Sequence, residues 1–405
     1  MRLIIYNNSF KNNLNNIVSL KRRPKRNFEL SHRNGNHIHF GAGKLSMGLI
    51  IPAIHRKNVP LVILQRKSCD WKYLSEGDRI KLMINGSDAL FGDDIVITET
   101  VENINYNEKS MLLSNNKEHW LDCALRASTM SCSLGPSCAD VLVPLLQNLP
   151  MRSDEERRPI LYACENDTIA VKDLMTGLAG RVDVILCTVD RICTERTIKE
   201  DSIEVITEED PGTIVVYGKD VPLSWSNMIT TNDPNVAEYM AFEKKIFVNG
   251  IHTLAALISL SMDKKHCMEK NINSDFFETI DMDFWIVATV IYIISEWGLY
   301  IPCKAYGCSN EELVNILLQK GNCIRNRLHE TSQSDTPSRI LRRGVSYCYV
   351  HRVMPVLIGY HNSIMTSTIR QVYISSGTTP SDIEGALEFI KKHCTQSCLN
   401  SLRKS

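Results

Sequence analysis

Three polar side chains lie close together in the second half of the sequence, at the spacing Lys-x4-Asn-x2-His. They are Lys244, Asn249 and His252. In a helix, Asn249 and His252 are three residues apart and share one face. Lys244 lies two turns before His252 and has a long side chain, so one substrate oxygen can contact all three groups. A lysine that is removed from water acts as a general base, while amide and imidazole N–H groups donate to a developing alkoxide. The pattern therefore predicts proton transfer at an alcohol or a carbonyl oxygen.

The same residues also have an ordinary structural interpretation. The two lysines then form a solvated helix face, the pair Asn249-Gly250 is a helix irregularity, and His252 is a core histidine whose hydrogen bonds are satisfied. A pattern of three residues arises readily by chance, so it requires support from elsewhere in the chain. Lys245 is kept as an alternative base, because ideal helical geometry directs it toward Asn249 slightly better than Lys244.

A glycine-rich turn near the amino terminus supplies that support. Residues 37–54 predict a short strand, a turn that contains Gly41 and Gly43, and an apolar helix. Bare glycine backbone lets a pyrophosphate approach the N-terminus of the helix. Ser46 stands where the GxGxxG pattern has its third glycine, and Gly48 follows two residues later. The predicted cofactor contacts in this turn are Gly41, Ala42, Gly43, Lys44 and Leu45.

A second predicted strand, at residues 59–64, follows at the distance that a βαβ unit requires. It ends at Gln65 and Arg66, where an NAD site usually has an acidic residue that binds the ribose 2′-hydroxyl. Arg66 is instead suited to pair with a 2′-phosphate, which favours NADP, although a solvated arginine at the strand end is the alternative. Both NAD and NADP therefore stay as candidate cofactors, with Gln65 and Arg66 among the predicted contacts.

The chain resembles the polyol-specific long-chain dehydrogenases, which are also called the mannitol dehydrogenase family. The resemblance spans nearly the whole chain, and the matching stretches follow the order of the family. Besides the Lys244, Asn249 and His252 triplet, they are His-Phe-Gly-Ala-Gly at 39–43, Leu-Gly-Pro at 134–136, Ala-Cys-Glu-Asn at 163–166, Val-Asp-Arg-Ile at 189–192 and Asp-Thr-Pro-Ser-Arg at 335–339.

The resemblance implies an oxidoreductase that interconverts a hexitol phosphate and a ketose phosphate, of the mannitol 1-phosphate and fructose 6-phosphate type. It implies that Lys244 is the general base and that no metal is required. Asn166 and Asn249 are then expected to hold the reacting oxygen, and His252 to orient a neighbouring hydroxyl. Arginines in the helical half are candidates for the substrate phosphate, with surface ion pairs as the alternative. The predicted substrate-binding residues are Arg339, Arg342 and Arg352, with Arg343 beside them.

The chain also departs from the family pattern. Ser46 and Met47 stand where the family has Gly-Arg, Cys193 stands where a proline is expected, and Ile340 replaces a lysine. These departures leave two alternatives open. The first is a dehydrogenase of an unphosphorylated hexitol or of a sugar acid, and the second is a nucleotide-binding pseudoenzyme with a regulatory role.

The composition fits a soluble enzyme with a sizeable core, since the 405 residues are 43% apolar and carry 46 basic and 46 acidic side chains. This balance does not favour a nucleic-acid or membrane partner. Residues 1–35 are the exception, because eight Lys or Arg residues oppose the single acid Glu29. They predict a basic disordered extension or, alternatively, a mitochondrial or plastid transit peptide. Otherwise we expect a monomeric cytoplasmic protein with reduced cysteines.

Apolar periodicity predicts an α/β Rossmann-like nucleotide-binding domain at residues 36–240, followed by an all-α domain at 241–400. Lys244 lies just past this boundary, where a cofactor in one domain meets a substrate held by the other. The predicted strands include 94–98, 111–114, 160–163, 182–186 and 213–217, and the predicted helices include 246–262, 284–297, 310–319 and 381–393.

Replacing Arg66 with aspartate is expected to shift cofactor preference from NADPH toward NADH, by about tenfold or more in the ratio of kcat/KM. The physical reason is that a carboxylate accepts a hydrogen bond from a 2′-hydroxyl and repels a 2′-phosphate. The measurement is kcat/KM for each cofactor with one ketose substrate. An unchanged ratio would show that Arg66 does not contact the 2′ position.

Overall fold

The computed structural model of the protein describes residues 36–55, 60–153, 158–218, 225, 228–263, 265 and 267–402. The basic segment predicted at residues 1–35 lies outside the described residues.

A large sheet dominates the first half of the described chain, as the strand-like runs predict. Its strands are β1 Asn36–Phe40, β2 Leu61–Gln65, β3 Arg79–Ile84, β4 Ser87–Asp88, β5 Ile95–Thr98, β6 Lys109–Leu113, β7 Ala127–Cys132, β8 Ile160–Cys164, β9 Asp183–Asp190, β10 Cys193–Ile198, β11 Ser202–Thr207, β12 Thr213–Tyr217 and β13 Met228–Thr231.

Seven neighbouring strands in the middle of this sheet are parallel, in the order β5-β6-β2-β1-β7-β8-β9. The order reverses at β1, where His39 pairs with Ile63 of β2 on one side and with Ser131 of β7 on the other. Such a reversal opens a crevice at the carboxyl ends of the strands. Because β1 ends at Phe40, the glycine turn begins at the mouth of that crevice. The predicted Rossmann-like fold is confirmed.

Four helices lie between strands of the sheet, and ten helices follow β13, the last strand of the described chain. A π-helical turn at Ser46–Ile50 leads into the first helix, and a second π-helical turn lies at Tyr349–Val353. The helices are α1 Ile51–His55, α2 Lys117–Leu125, α3 Cys138–Leu146, α4 Thr168–Gly177, α5 Pro234–Ile246, α6 Val248–Met262, α7 Ile280–Trp297, α8 Tyr300–Tyr306, α9 Asn310–Thr331, α10 Pro337–Ile340, α11 Val345–Cys348, α12 Met354–His361, α13 Ser367–Ser376 and α14 Pro380–Leu402.

The helical half is organised around α6 and α7. Both helices are apolar on nearly all sides and buried along most of their length, as core helices are. The segment Pro234–Met262 is long and apolar enough to cross a membrane by length and composition, but 67% of its apolar stretch is buried inside the protein. Asp233 directly precedes this segment, and its carboxylate accepts from Asn235 N at 2.9 Å and caps the helix.

The hairpin of β10 and β11 packs on the π-helical turn that follows the glycine turn. A Cβ added to Gly48 would lie 2.7 Å from Cys193 Sγ and 3.1 Å from Thr207 Cγ2. Arg191, between β9 and β10, donates to Gly48 O. Gly48 therefore permits the close approach of helix and sheet, a role that the GxGxxG pattern gives to its third glycine.

Replacing Gly48 with alanine is expected to lower the free energy of unfolding by about 1–3 kcal/mol, because the added methyl overpacks the contact with Cys193. Urea denaturation measures this change. The matched control is Gly385→Ala in α14, where no heavy atom lies within 4 Å of an added Cβ, and alanine is expected to stabilise by up to about 1 kcal/mol. Equal stabilisation by both variants would contradict the close packing of the hairpin on the turn.

Candidate functional site

The candidate site lies at the carboxyl ends of β1, β7, β8 and β9. Gly41 has a φ of +100°, and a Cβ there would lie 2.9 Å from Leu134 Cδ2 and 3.0 Å from Ser133 O. Only glycine fits this conformation and this space. A Cβ on Gly43, by contrast, would meet no heavy atom within 4 Å. The turn is therefore closed on the sheet side and has open space beside Gly43, which fits a bound pyrophosphate.

Side chains from two other strands hold the glycine turn. Gln65 Oε1 accepts from Ala42 N at 2.9 Å, and Arg196 of β10 donates to Ala42 O. Lys44 donates to Thr194 O. Gln65, which was predicted as a cofactor contact, is thus engaged in support of the turn. Arg196 is a basic residue at the turn that the sequence did not indicate.

Two predicted cofactor contacts stay accessible. Arg66 is exposed and has no hydrogen-bond or ion-pair partner through its side chain among the described residues, while Leu45 is half-buried. The predicted recognition of a 2′-phosphate by Arg66 stays a prediction.

A buried chain of hydrogen bonds explains the serine in the glycine pattern. His37 bonds to Thr129 at 2.9 Å and to Ser131 at 2.8 Å, and Ser131 bonds to His39 at 2.6 Å. His39 bonds in turn to Ser46 Oγ at 3.0 Å. Burial lowers the pKa of both histidines to about 3, so they are neutral at ordinary pH. Ser46 therefore completes a polar network beneath the turn.

Lys244 of α5 reaches the carboxyl ends of β8 and β9. Its amine donates to Asn166 Oδ1 at 2.9 Å and to Val189 O, and it lies 3.8 Å from Asp190 Oδ1. The side chain is only 12% exposed. Burial lowers the pKa of Lys244, the Asp190 carboxylate opposes this, and the positive charge of Arg327 adds to it. The amine is thus easier to deprotonate than an ordinary lysine.

Arg327 of α9 forms the other side of this cluster. Its Nε donates to Glu208 Oε2 at 2.7 Å and its Nη2 to Glu208 Oε1 at 2.8 Å, and its Nη1 lies 3.4 Å from Asp190 Oδ2. The bidentate pair fixes the guanidinium beside Asp190. No local pattern in the sequence indicates Arg327 and Glu208, because the partners lie 119 positions apart and neither belongs to a motif.

His252 of α6 belongs to a second cluster. Its Nε2 lies 2.7 Å from Asp335 Oδ2, and Arg339 donates to both oxygens of that carboxylate. Burial lowers the pKa of His252, and Asp335 opposes this. Burial also acts to raise the pKa of Asp335, but Arg339 and His252 hold it well below its usual value. Arg339, which was predicted to bind a substrate phosphate, is engaged with Asp335.

The predicted triplet is divided between two helices. Lys244 belongs to α5, whereas Asn249 and His252 belong to α6, and Phe247 joins the helices. Within the described residues, no direct hydrogen bond links Lys244 to either of the other two. The carboxamide of Asn249 has no partner there, so it is available to a ligand. Joint action of the three on one oxygen stays a prediction, whereas the contact of Lys244 with Asn166 is present.

The remaining predicted arginines have different environments. Arg343 donates to Asp167 Oδ2 at 2.8 Å, and Asp167 also caps α4. Arg342 is exposed and has no side-chain partner among the described residues. Arg352 is half-buried and donates to Thr253 Oγ1 at 3.1 Å.

Glu165 connects two loops of the site. Its carboxylate accepts from Leu134 N, and from Gly135 N at 2.9 Å. Burial raises the pKa of Glu165 to about 8, although the two N–H donors favour the charged form. Glu165 directly precedes Asn166, the hydrogen-bond partner of Lys244. One segment therefore holds both Asn166 and the loop at Leu134 that packs against Gly41.

The fourteen cysteines of the described chain form no disulfide. No group of three or more His, Cys, Asp or Glu side chains is arranged there to hold a metal ion.

No protein-family model matches this chain. Mannitol-1-phosphate 5-dehydrogenase from two strains of Pyricularia oryzae is 26% identical to it over 153 residues. The match covers 35% of this chain and 35% of that relative, so the chain spans about a third of the length of the curated relatives it matches.

Solved structures of low sequence identity align with most of this chain. Glycerol-3-phosphate dehydrogenase from Coxiella burnetii is 10% identical, with 91% of this chain and 99% of that chain covered and a TM-score of 0.39. Octopine dehydrogenase, in a structure with NADH and L-arginine, is 10% identical, with 88% and 89% covered and a TM-score of 0.43. Similarity at this level does not indicate function.

The buried histidine pair is expected to make the protein lose stability in mild acid. Because burial lowers the pKa of His37 and His39 from 6.5 to about 3, their contribution is present above pH 6.5 and is lost as the pH falls toward 3. As the pH falls from about 7.5 to about 5.5, the two histidines take up protons in the unfolded state and not in the folded state. The free energy of unfolding should therefore fall by about 2–3 kcal/mol.

Urea denaturation at both pH values measures this loss. Replacing His39 with glutamine is expected to reduce the loss by about half, since one of the two titrating groups is removed. The control is His361→Gln, at an exposed histidine of α12, which should keep the loss of the unmodified protein. Equal losses in all three proteins would contradict the assignment.

Proposed function

We propose that this protein is an NAD(P)-dependent oxidoreductase that interconverts a hexitol phosphate and a ketose phosphate, of the mannitol 1-phosphate and fructose 6-phosphate type. The observation that carries the proposal is the buried amine of Lys244, bonded to Asn166 at 2.9 Å where the parallel strands end. The similarity to a mannitol-1-phosphate 5-dehydrogenase supports the substrate class.

The nucleotide site of the proposal is the turn from Gly41 to Leu45, at the reversal of strand order. The positive φ of Gly41, the open space at Gly43 and the basic Lys44 fit a dinucleotide phosphate. When bound, NAD or NADP accepts or supplies the hydride. The contacts of Ser46 with His39 and of Gln65 with Ala42 support an intact turn, which favours an enzyme over a pseudoenzyme.

Lys244 is the general base of the proposal. In the oxidative direction its neutral amine takes the proton from the substrate hydroxyl, and in the reductive direction its ammonium returns that proton to the new alkoxide. Burial lowers the pKa of Lys244, so its neutral form is easier to reach than that of an ordinary lysine. Asp190 and Arg327 also act on the pKa of Lys244, in opposite directions, because the carboxylate raises it and the guanidinium lowers it.

The other polar groups hold the reacting oxygen and its neighbours. Asn166 uses its carbonyl oxygen on Lys244, so its amide N–H groups serve the developing alkoxide. Asn249, whose carboxamide lacks a partner in the described chain, does the same from the side of α6. His252 binds an adjacent hydroxyl, with its ring held by Asp335 at 2.7 Å.

Replacing Lys244 with alanine is expected to lower kcat by about 10²–10⁴ with little change in cofactor affinity, because proton transfer is lost. The measurement is oxidation of NADH and NADPH with fructose 6-phosphate, fructose and sugar acids. In the unmodified enzyme, kcat for hexitol oxidation should rise with pH to a plateau above the lowered pKa of Lys244, and kcat for ketose reduction should fall over the same range.

Lys245→Ala is the comparison variant, since this lysine is adjacent and was the alternative base. It should keep the pH profile of kcat at saturating substrate. Loss of kcat in Lys245→Ala together with full activity in Lys244→Ala would overturn the base assignment. A protein that binds the cofactor and turns over none of these substrates would overturn the proposed function.

A further inference from the structure

Five cations of the helical half that lie near the candidate site differ in whether a carboxylate contacts them. Arg327, Arg339 and Arg343 each contact a carboxylate of the protein, in Glu208, Asp335 and Asp167 respectively. These three charges are neutralised inside the molecule. A substrate anion that used one of them would have to compete with a buried or half-buried acidic side chain.

Arg352 and Lys245 form the second group. Within the described residues, no carboxylate lies within ion-pair distance of either side chain, and the one hydrogen bond of the Arg352 guanidinium is to the neutral hydroxyl of Thr253 at 3.1 Å. Burial and the charges of Arg343 and Arg342 lower the pKa of Arg352. Burial and Arg352 lower the pKa of Lys245, although that residue is exposed overall. Within the described residues, the positive charges of Arg352 and Lys245 therefore have no counterion.

The fold places this group next to the candidate catalytic residues. The backbones of Arg352 and Lys245 meet at Gly250 of α6, because a Cβ added there would lie 3.2 Å from Arg352 O and 3.8 Å from Lys245 O. Thr253, which holds the guanidinium, follows His252 directly and lies one turn after Asn249. The charge of Arg352 also contributes to the lowered pKa of His252. Arg352 lies in the π-helical turn Tyr349–Val353, a distortion that is frequent at functional sites.

We infer that Arg352 and Lys245 bind the phosphate group of the substrate, a monoester dianion, beside the hydroxyl-binding face of α6. This inference rests on the proposed function and assigns its anion to residues other than Arg339. Two adjacent cations match the charge of a phosphate, which is close to −2 at neutral pH, better than that of a single carboxylate. The planar guanidinium contacts two phosphate oxygens at once, and the ammonium contacts the third.

The test compares phosphorylated and free substrates in two variants, Arg352→Gln and Lys245→Met. Each variant is expected to raise KM for fructose 6-phosphate about tenfold or more, to leave KM for fructose unchanged and to keep kcat. Arg352→Lys should bind fructose 6-phosphate more tightly than Arg352→Gln, because lysine retains the positive charge but lacks the planar guanidinium that contacts two phosphate oxygens. The matched control is Arg370→Gln, at an exposed arginine of α13, which should keep both KM values.

Three outcomes would overturn the inference. Equal losses for fructose and fructose 6-phosphate would show that the two cations support the structure or the sugar. An unchanged KM for fructose 6-phosphate in both variants would place the anion elsewhere. A selective loss for hexuronates, with fructose 6-phosphate unaffected, would show that the site binds a carboxylate.

Calorimetry with inorganic phosphate, in the presence of NADPH, separates this inference from the proposed function. Phosphate binding that is present in the unmodified protein and lost in Arg352→Gln supports the anion site, even if no sugar is turned over and the proposed function fails. If fructose 6-phosphate is turned over, and neither phosphate binding nor KM changes in either variant, the proposed function stands and the anion site is wrong. Lys245→Met serves where Arg352→Gln does not fold.

Discussion

The docking of one amine against the carboxyl ends of the strands determines the arrangement of the site. Lys244 belongs to a helix, yet its Nζ is held by Asn166 and Val189 of the sheet half and faces Asp190. Removing an ammonium from water costs several kcal/mol unless oxygen ligands replace the lost hydration. The loops after β8 and β9 supply those ligands, so the helical half has to approach the sheet at this position. The contact joins α5, and through Phe247 also α6, to the carboxyl ends of the strands.

Both clusters of the site use one carboxylate between two positively charged or basic groups. Asp190 lies between Lys244 and Arg327, and Asp335 lies between His252 and Arg339. In each case the arginine engages the acid, so the acid orients the neighbouring lysine or histidine without fully stabilising its charged form. Burial acts in the same direction, and the pKa of Lys244 and of His252 is lowered despite the nearby negative charge. Groups of this kind are suited to exchange protons with a ligand.

Periodicity in the sequence predicted the sheet, the glycine turn and the helical half, because each depends on local side-chain patterns. The helix predicted at 310–319 continues to Thr331, since Gly321, which interrupts the apolar pattern, packs against Ile286 of another helix. Long-range partners were beyond the sequence. Nothing local showed that Gln65 bonds to Ala42, that Asp335 engages Arg339, or that Arg327 completes the cluster at Lys244. The approach of Lys244 to Asn166 was expected only through the family resemblance, and the structure places them in contact.

The short stretch of chain from the end of β9 into β10 serves both halves of the site. Val189 and Asp190 hold the amine of Lys244, Arg191 donates to Gly48 O, and Arg196 donates to Ala42 O within the glycine turn. Side chains in this stretch are free to vary where they face solvent, but its length is constrained at both ends by the contacts of Val189 and Arg196. A single inserted or deleted residue here would shift the register of one set of contacts against the other. Homologues are therefore expected to differ in length at the tip of the β10–β11 hairpin and not between residues 189 and 196.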